Sequence, residues 1–196
     1  KIFYQKHMTH HMIDKISLLV MGADKPLNLK LYENIIARGI QIDLYFSALP
    51  IPKEKMLNRS MCIDSSQLYD VEGIQKQKEL INSHSHVDLQ LIEEMTKYEF
   101  ECLKCVDRAA AIPESVEYHH QIFYELIHLY QLIFEKYPKL THVYFPNNPH
   151  FISGITLYYV AKYYRKCTLI SRETYVDNYH VVTTDWKQKI NLENSH

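Results

Sequence analysis

Two short strand–helix–strand units constrain this chain more than any other feature of its sequence. The first opens with Ile16-Ser17-Leu18-Leu19-Val20-Met21, a brief apolar run closed by Gly22. A run of that length without polar alternation suits a parallel strand buried on both faces. Asp24 then offers an N-cap, and Pro26 fits a first helical turn. Leu27, Leu31, Ile35 and Ile36 mark an apolar helical face, Gly39 a C-terminal stop, and residues 40–46 a second strand. The second unit starts at His142-Val143-Tyr144-Phe145, continues through a helix over about 152–164, and ends at Cys167-Thr168-Leu169-Ile170.

Units of this kind join parallel strands by right-handed crossovers. Two of them in one chain predict an α/β fold, a Rossmann-like doubly wound parallel sheet with helices on both faces. Residues 181–184 read as a further strand. Between the two units, residues 89–108 carry a helical stripe (Leu91, Met95, Tyr98, Cys102, Cys105). Pro113 and Ser115 then open a longer helix that Pro138 ends. Residues 47–85, with Pro50 and Pro52, hold no motif beyond a short helix near 71–80. They read as a variable insertion.

The 196 residues fit a single domain. With 22 basic against 23 acidic residues, the net charge of −1 gives no general attraction to nucleic acid or an anionic membrane. No apolar run approaches the roughly 20 residues of a membrane-spanning helix. Cys62, Cys102, Cys105 and Cys167 form no disulfide framework, so reduced thiols and a cytoplasmic setting are expected. The polar ends and the missing initiator Met suggest the N-terminal half of a longer, two-domain protein.

In doubly wound sheets, ligands sit beyond the carboxyl ends of the strands. Three segments fall there: Gly22-Ala23-Asp24, Asn147-Asn148-Pro149-His150, and Ser171-Arg172-Glu173. Asn147 and Asn148 either bind a hydroxyl-rich or anionic ligand or serve as turn and cap residues. No turn geometry requires His150, which points to a ligand-facing role. Arg172 and Glu173 either contact a phosphate or sugar hydroxyl or pair at the surface. Asp107 and Arg108 either reach the same cleft or end a solvated helix. Cys102-Leu103-Lys104-Cys105 has metal spacing, but there is no second pair, and the histidines lack the helical spacing of a zinc hydrolase, so no metal site is expected. Met21-Gly22-Ala23-Asp24 is neither a dinucleotide fingerprint nor a Walker loop. No NAD or ATP cofactor is therefore expected in this chain.

Residues 101–173 resemble a known family. The segment Glu101-Cys102-Leu103-Lys104-Cys105-Val106-Asp107-Arg108 precedes a long helix. Tyr144-Phe145-Pro146-Asn147-Asn148-Pro149-His150 follows, then Leu157-Tyr158-Tyr159-Val160-Ala161-Lys162-Tyr163, then Leu169-Ile170-Ser171-Arg172-Glu173-Thr174. This order resembles the N-terminal region of glycosyltransferase-type proteins of bacterial capsule and lipopolysaccharide biosynthesis. The Asp-Arg pair and the Pro-His are its most specific parts. Such enzymes pair two Rossmann-like domains in the GT-B arrangement, with the nucleotide sugar on the C-terminal domain and the acceptor on the N-terminal one. The resemblance implies a cytoplasmic, acceptor-side transferase domain, peripheral at the inner membrane, whose partners are a sugar acceptor and a nucleotide-sugar donor. Its catalytic base is then His150, oriented by Asp107 or Glu173. Asn147, Asn148, Arg172 and Arg108 are the substrate-binding candidates. The alternative is a non-catalytic sugar- or nucleotide-binding assembly module on the same fold.

Overall fold

The computed structural model describes residues 16–23, 25–49, 60–83, 85–105, 115–174 and 180–188. Among these residues, the centre is a six-stranded sheet: β1 (Ser17–Val20), β2 (Gln41–Ser47), β3 (Met61–Asp64), β4 (His142–Phe145), β5 (Cys167–Glu173) and β6 (His180–Thr183). The order across the sheet is β3-β2-β1-β4-β5-β6. The first five strands are mutually parallel, and β6 pairs antiparallel with β5. This is the Rossmann-like doubly wound arrangement that the two strand–helix–strand units predict.

Six α-helices among the described residues accompany the sheet: α1 (Pro26–Ala37), α2 (Val71–Ile81), α3 (Leu89–Thr96), α4 (Glu99–Leu103), α5 (Val116–Lys136) and α6 (Ile152–Tyr163). α1 covers one face, where Tyr32 meets Leu18, Val20, Ile42 and Tyr45. The opposite face holds the larger core, in which α5 and α6 bury Phe123, Tyr130, Leu157 and Tyr158 against Leu19, Leu44 and Val143. A bulge in β2 sorts side chains between the two. Leu18 is level with Ile42 but Leu19 with Leu44, so Asp43 is the extra residue. Both apolar pairs therefore face a core. α6 is buried from Ile152 through Ala161, the pattern of a central rather than a surface helix.

Two expectations need correction. Residues 61–64 and 71–81 are not part of an insertion, because β3 extends the parallel sheet and α2 joins the main core. Residues 50–59 and 84, also inside 47–85, lie outside the described residues. On α1 the expected apolar face is also rotated. Leu27 and Leu31 are 73% and 39% exposed, while Tyr32 is 1% exposed with Leu29, Ile35 and Ile36 beside it. Tyr32 sets the rotation, since its hydroxyl donates to the Met21 carbonyl at the end of β1 while its ring fills the space over the sheet. The N-cap position of α1 is Lys25, and Asp24, expected in that role, lies outside the described residues.

Candidate functional site at the switch point of the sheet

β1 and β4 lie side by side, but the chain leaves them in opposite directions, toward β2 on one side and β5 on the other. The loops that follow must diverge, and a crevice opens between them. A cavity of about 260 Å³ occupies that crevice. Its walls come from the β1–α1 loop (Met21, Gly22, Lys25), the turn after β3 (Ser65, Tyr69), and the β4–α6 segment from Phe145 to Gly154.

The β1–α1 loop turns at Gly22, whose φ is +64°. A side chain there would be strained by the backbone and crowded by its neighbours. An added Cβ would lie 3.2 Å from Asn28 Nδ2 and 3.3 Å from Pro146 Cγ. Asn28 Nδ2 also donates to the Gly22 carbonyl at 2.9 Å, which fixes the loop to the first turn of α1. Neither α1 nor α6 has a side-chain cap at its start. On α6, Ser153 and Gly154 of that uncapped first turn line the cavity. The turn is anchored from behind by the fully buried Tyr130, whose hydroxyl donates to the Ser153 carbonyl at 2.9 Å.

His150 lines this wall and is the candidate functional side chain on it. Its Nδ1 lies 2.8 Å from the Asn148 carbonyl oxygen. A carbonyl only accepts, so Nδ1 carries the proton and donates, which leaves Nε2 as an unprotonated acceptor in the neutral ring. The ring leans on Phe151, with centroids 4.1 Å apart. Phe151 in turn meets Tyr69 edge-on, with centroids 5.9 Å apart and planes at 83°. Burial raises the Tyr69 phenol above its ordinary pKa, and a hydrogen bond with the Ser153 side chain opposes that shift.

The structure brings some of the expected site residues together and separates others. Asn147 and His150 line the cavity. Asn148 contributes its carbonyl to His150, while its own Oδ1 is buried without a partner. Arg172 and Glu173 do not follow β5 into the crevice. β5 runs on through Glu173, with Arg172 level with Val181 and Glu173 level with His180 in the β5–β6 hairpin. Arg172 donates instead to the Gln188 carbonyl. Asp107 and Arg108 lie outside the described residues. Sequence reasoning missed Tyr69, Ser65 and Asn28. Tyr69 and Ser65 come from the motif-free stretch, and only recognition of β3 would have placed its carboxyl end at the crevice. Cys102 is buried in the core and Cys105 packs against it, and none of the four cysteines forms a disulfide. Among the described residues, no group of three or more His, Cys, Asp or Glu could hold a metal ion. No described helix is long and apolar enough to cross a membrane.

No protein-family model and no curated protein matches the sequence. Among solved structures, the chain is similar to the UDP-glucose 4-epimerase of Thermus thermophilus in complex with NAD. The TM-score is 0.35 at 10% identity, over 78% of this chain and 53% of that one. The chain thus spans about half the length of that enzyme. The Rossmann-like assignment rests on the strand order and pairing described above.

Proposed function

We propose that this chain is the acceptor-side domain of a glycosyltransferase of bacterial surface-polysaccharide biosynthesis, with the switch-point cavity holding the acceptor sugar. One observation carries the reading: the Asn148 carbonyl fixes His150 as an Nδ1–H tautomer, so Nε2 is an available base on the wall of the cavity. Glycosyl transfer needs such a base. As the acceptor oxygen bonds to the donor's anomeric carbon, its proton passes to Nε2, and the bond from that carbon to the departing nucleotide breaks. The Asn148 carbonyl orients His150, Glu173 is held in the β5–β6 hairpin, and the resulting imidazolium keeps its donor bond to that carbonyl. Arg172 is engaged with Gln188, so the charge on the leaving phosphate falls to Arg108 or to a second, donor-side domain.

The size of the cavity supports the acceptor role. At about 260 Å³ it falls just below the roughly 300–1,000 Å³ of drug-sized ligand sites, which suits one sugar ring better than a nucleotide sugar. The link to surface polysaccharide rests on the resemblance of residues 101–173. The test is transfer by the full-length protein, assayed with a panel of nucleotide sugars and acceptor glycosides. His150→Ala should lower the rate by about 10²- to 10⁴-fold with the melting temperature unchanged. Full activity in that variant contradicts the assignment of the base. Sugar binding without transfer by the wild type favours the non-catalytic module.

A further inference from the structure

The feature that the transfer chemistry leaves unexplained is Tyr69. Two aromatic rings are exposed among the described residues, Phe100 and Tyr69, and only Tyr69 lines the cavity. At 39% exposure it contributes little to the core, yet it is held firmly. The residue before it, Leu68, is completely buried, and the residue after it, Asp70, caps α2 by accepting from the Gly73 amide at 2.7 Å. Gly73 seats the turn against that helix so closely that a Cβ there would collide with the Gln67 carbonyl oxygen. Phe151 braces the ring edge-on at 5.9 Å. An exposed ring held on an anchored turn in the cavity wall is a preorganised contact surface.

We infer that Tyr69 is the specificity-determining platform of the cavity, stacking its ring against the apolar face of a single pyranose of the acceptor. This rests on reading the cavity as an acceptor-sugar site. One face of a pyranose presents a row of C–H bonds with partial positive charge, and the face of a phenol ring is the negative end of its quadrupole. The same cavity is lined by polar groups able to bond the hydroxyls of such a sugar: Asn147 and His150 on the β4 side and Ser65 on the turn that carries Tyr69. A nucleobase also stacks on tyrosine, but its phosphates would have to be held beyond this small cavity, next to a β1–α1 loop that lacks the glycine-rich phosphate cradle. The platform is therefore assigned to a sugar ring.

Saturation-transfer NMR on the full-length protein tests this, using the methyl β-glycosides of galactose, glucose and N-acetylglucosamine, with uridine 5′-monophosphate as the competing class. At least one glycoside should receive saturation, strongest on the C–H protons of one ring face. Tyr69→Phe should keep that binding, Tyr69→Ala should weaken it about two- to tenfold, and both should melt with the wild type. Glycoside binding that is equal in Tyr69→Ala, or that Tyr69→Phe damages as much as Tyr69→Ala, overturns the platform alone and leaves the acceptor site standing. Binding of the nucleotide without any glycoside, or of no probe by the wild type, overturns the acceptor reading and the platform with it. A Tyr69→Ala protein that unfolds makes the residue structural and also contradicts the inference.

Discussion

At the amino end of the sheet, Asp43 occupies the β2 bulge, with Ser17 donating to one carboxylate oxygen and Gln41 to the other. Nearby Lys136 donates to the Ile81 carbonyl, and the Tyr137 hydroxyl lies 3.3 Å from Met61 Sδ. Ser17, Gln41, Asp43, Lys136 and Tyr137 line a hollow of about 600 Å³, more than twice the size of the carboxyl-end cavity. At the carboxyl end the situation is reversed. Two helices start there without side-chain caps, His150 keeps one ring nitrogen unpaired, and an exposed tyrosine faces the crevice. Volume alone would select the amino end. The unspent hydrogen-bonding and stacking capacity selects the carboxyl end, because polar groups that already satisfy one another have little to offer a ligand.

The comparison is broken most directly by paired substitutions. His150→Ala is expected to remove most transfer activity, by the factor given above, while Asp43→Asn leaves transfer unchanged. Steady-state rates of both variants decide it, and a large loss in the Asp43 variant would move the chemistry to the other edge. Gly22→Ala should come next. Left-handed backbone costs an L-residue roughly 1–2 kcal/mol, and the new Cβ presses on Asn28 and Pro146 at the cavity wall. Denaturant unfolding should show that loss, with glycoside affinity falling in parallel. A neutral Gly22→Ala would mean that the loop is free to relax and that the cavity is not tightly built.

Asp43→Ala should lower stability by roughly 1–3 kcal/mol, because it strands the nearly buried Ser17 hydroxyl, without changing glycoside binding. The smallest expected effect is a pH dependence, also at the amino end. His142, the first residue of β4, has its pKa lowered below the ordinary histidine value by burial. The unfolded chain therefore takes up the proton first. The stability His142 contributes is complete above the unfolded value of about 6.5 and is lost as pH falls below it. Urea midpoints between pH 8 and 5 should drop on the acid side, and His142→Gln should flatten that drop. An unchanged profile in the variant assigns the acid sensitivity to other groups.

The strands were legible where burial on both faces forces an unbroken apolar run, as in Leu18-Leu19-Val20, whose residues are all buried. β3 was not, because at the sheet edge only Ile63 of its four residues is buried and no apolar run is required. The face of α1 was misjudged because leucines at i and i+4 suggested a stripe, whereas one tyrosine bonded to the Met21 carbonyl decides the rotation. His150 was visible because it follows a clear strand and no turn geometry requires it. Its orienting partner was not visible, since a backbone carbonyl two residues away leaves no mark in the sequence. Arg172 was placed in the crevice on a strand end assumed at residue 170. Pairing with β6 carries the strand three residues further and takes Arg172 into the hairpin.

The central claim is that the carboxyl-end cavity, and not the larger amino-end hollow, is the ligand site. Amide chemical-shift mapping on titration with the three methyl glycosides tests it most directly. The account predicts shifts concentrated at Gly22, Tyr69, Asn147, His150 and Gly154, with Ser17, Gln41, Asp43 and Lys139 unmoved. Shifts centred on Ser17 and Asp43, with the β4–α6 segment silent, would contradict it.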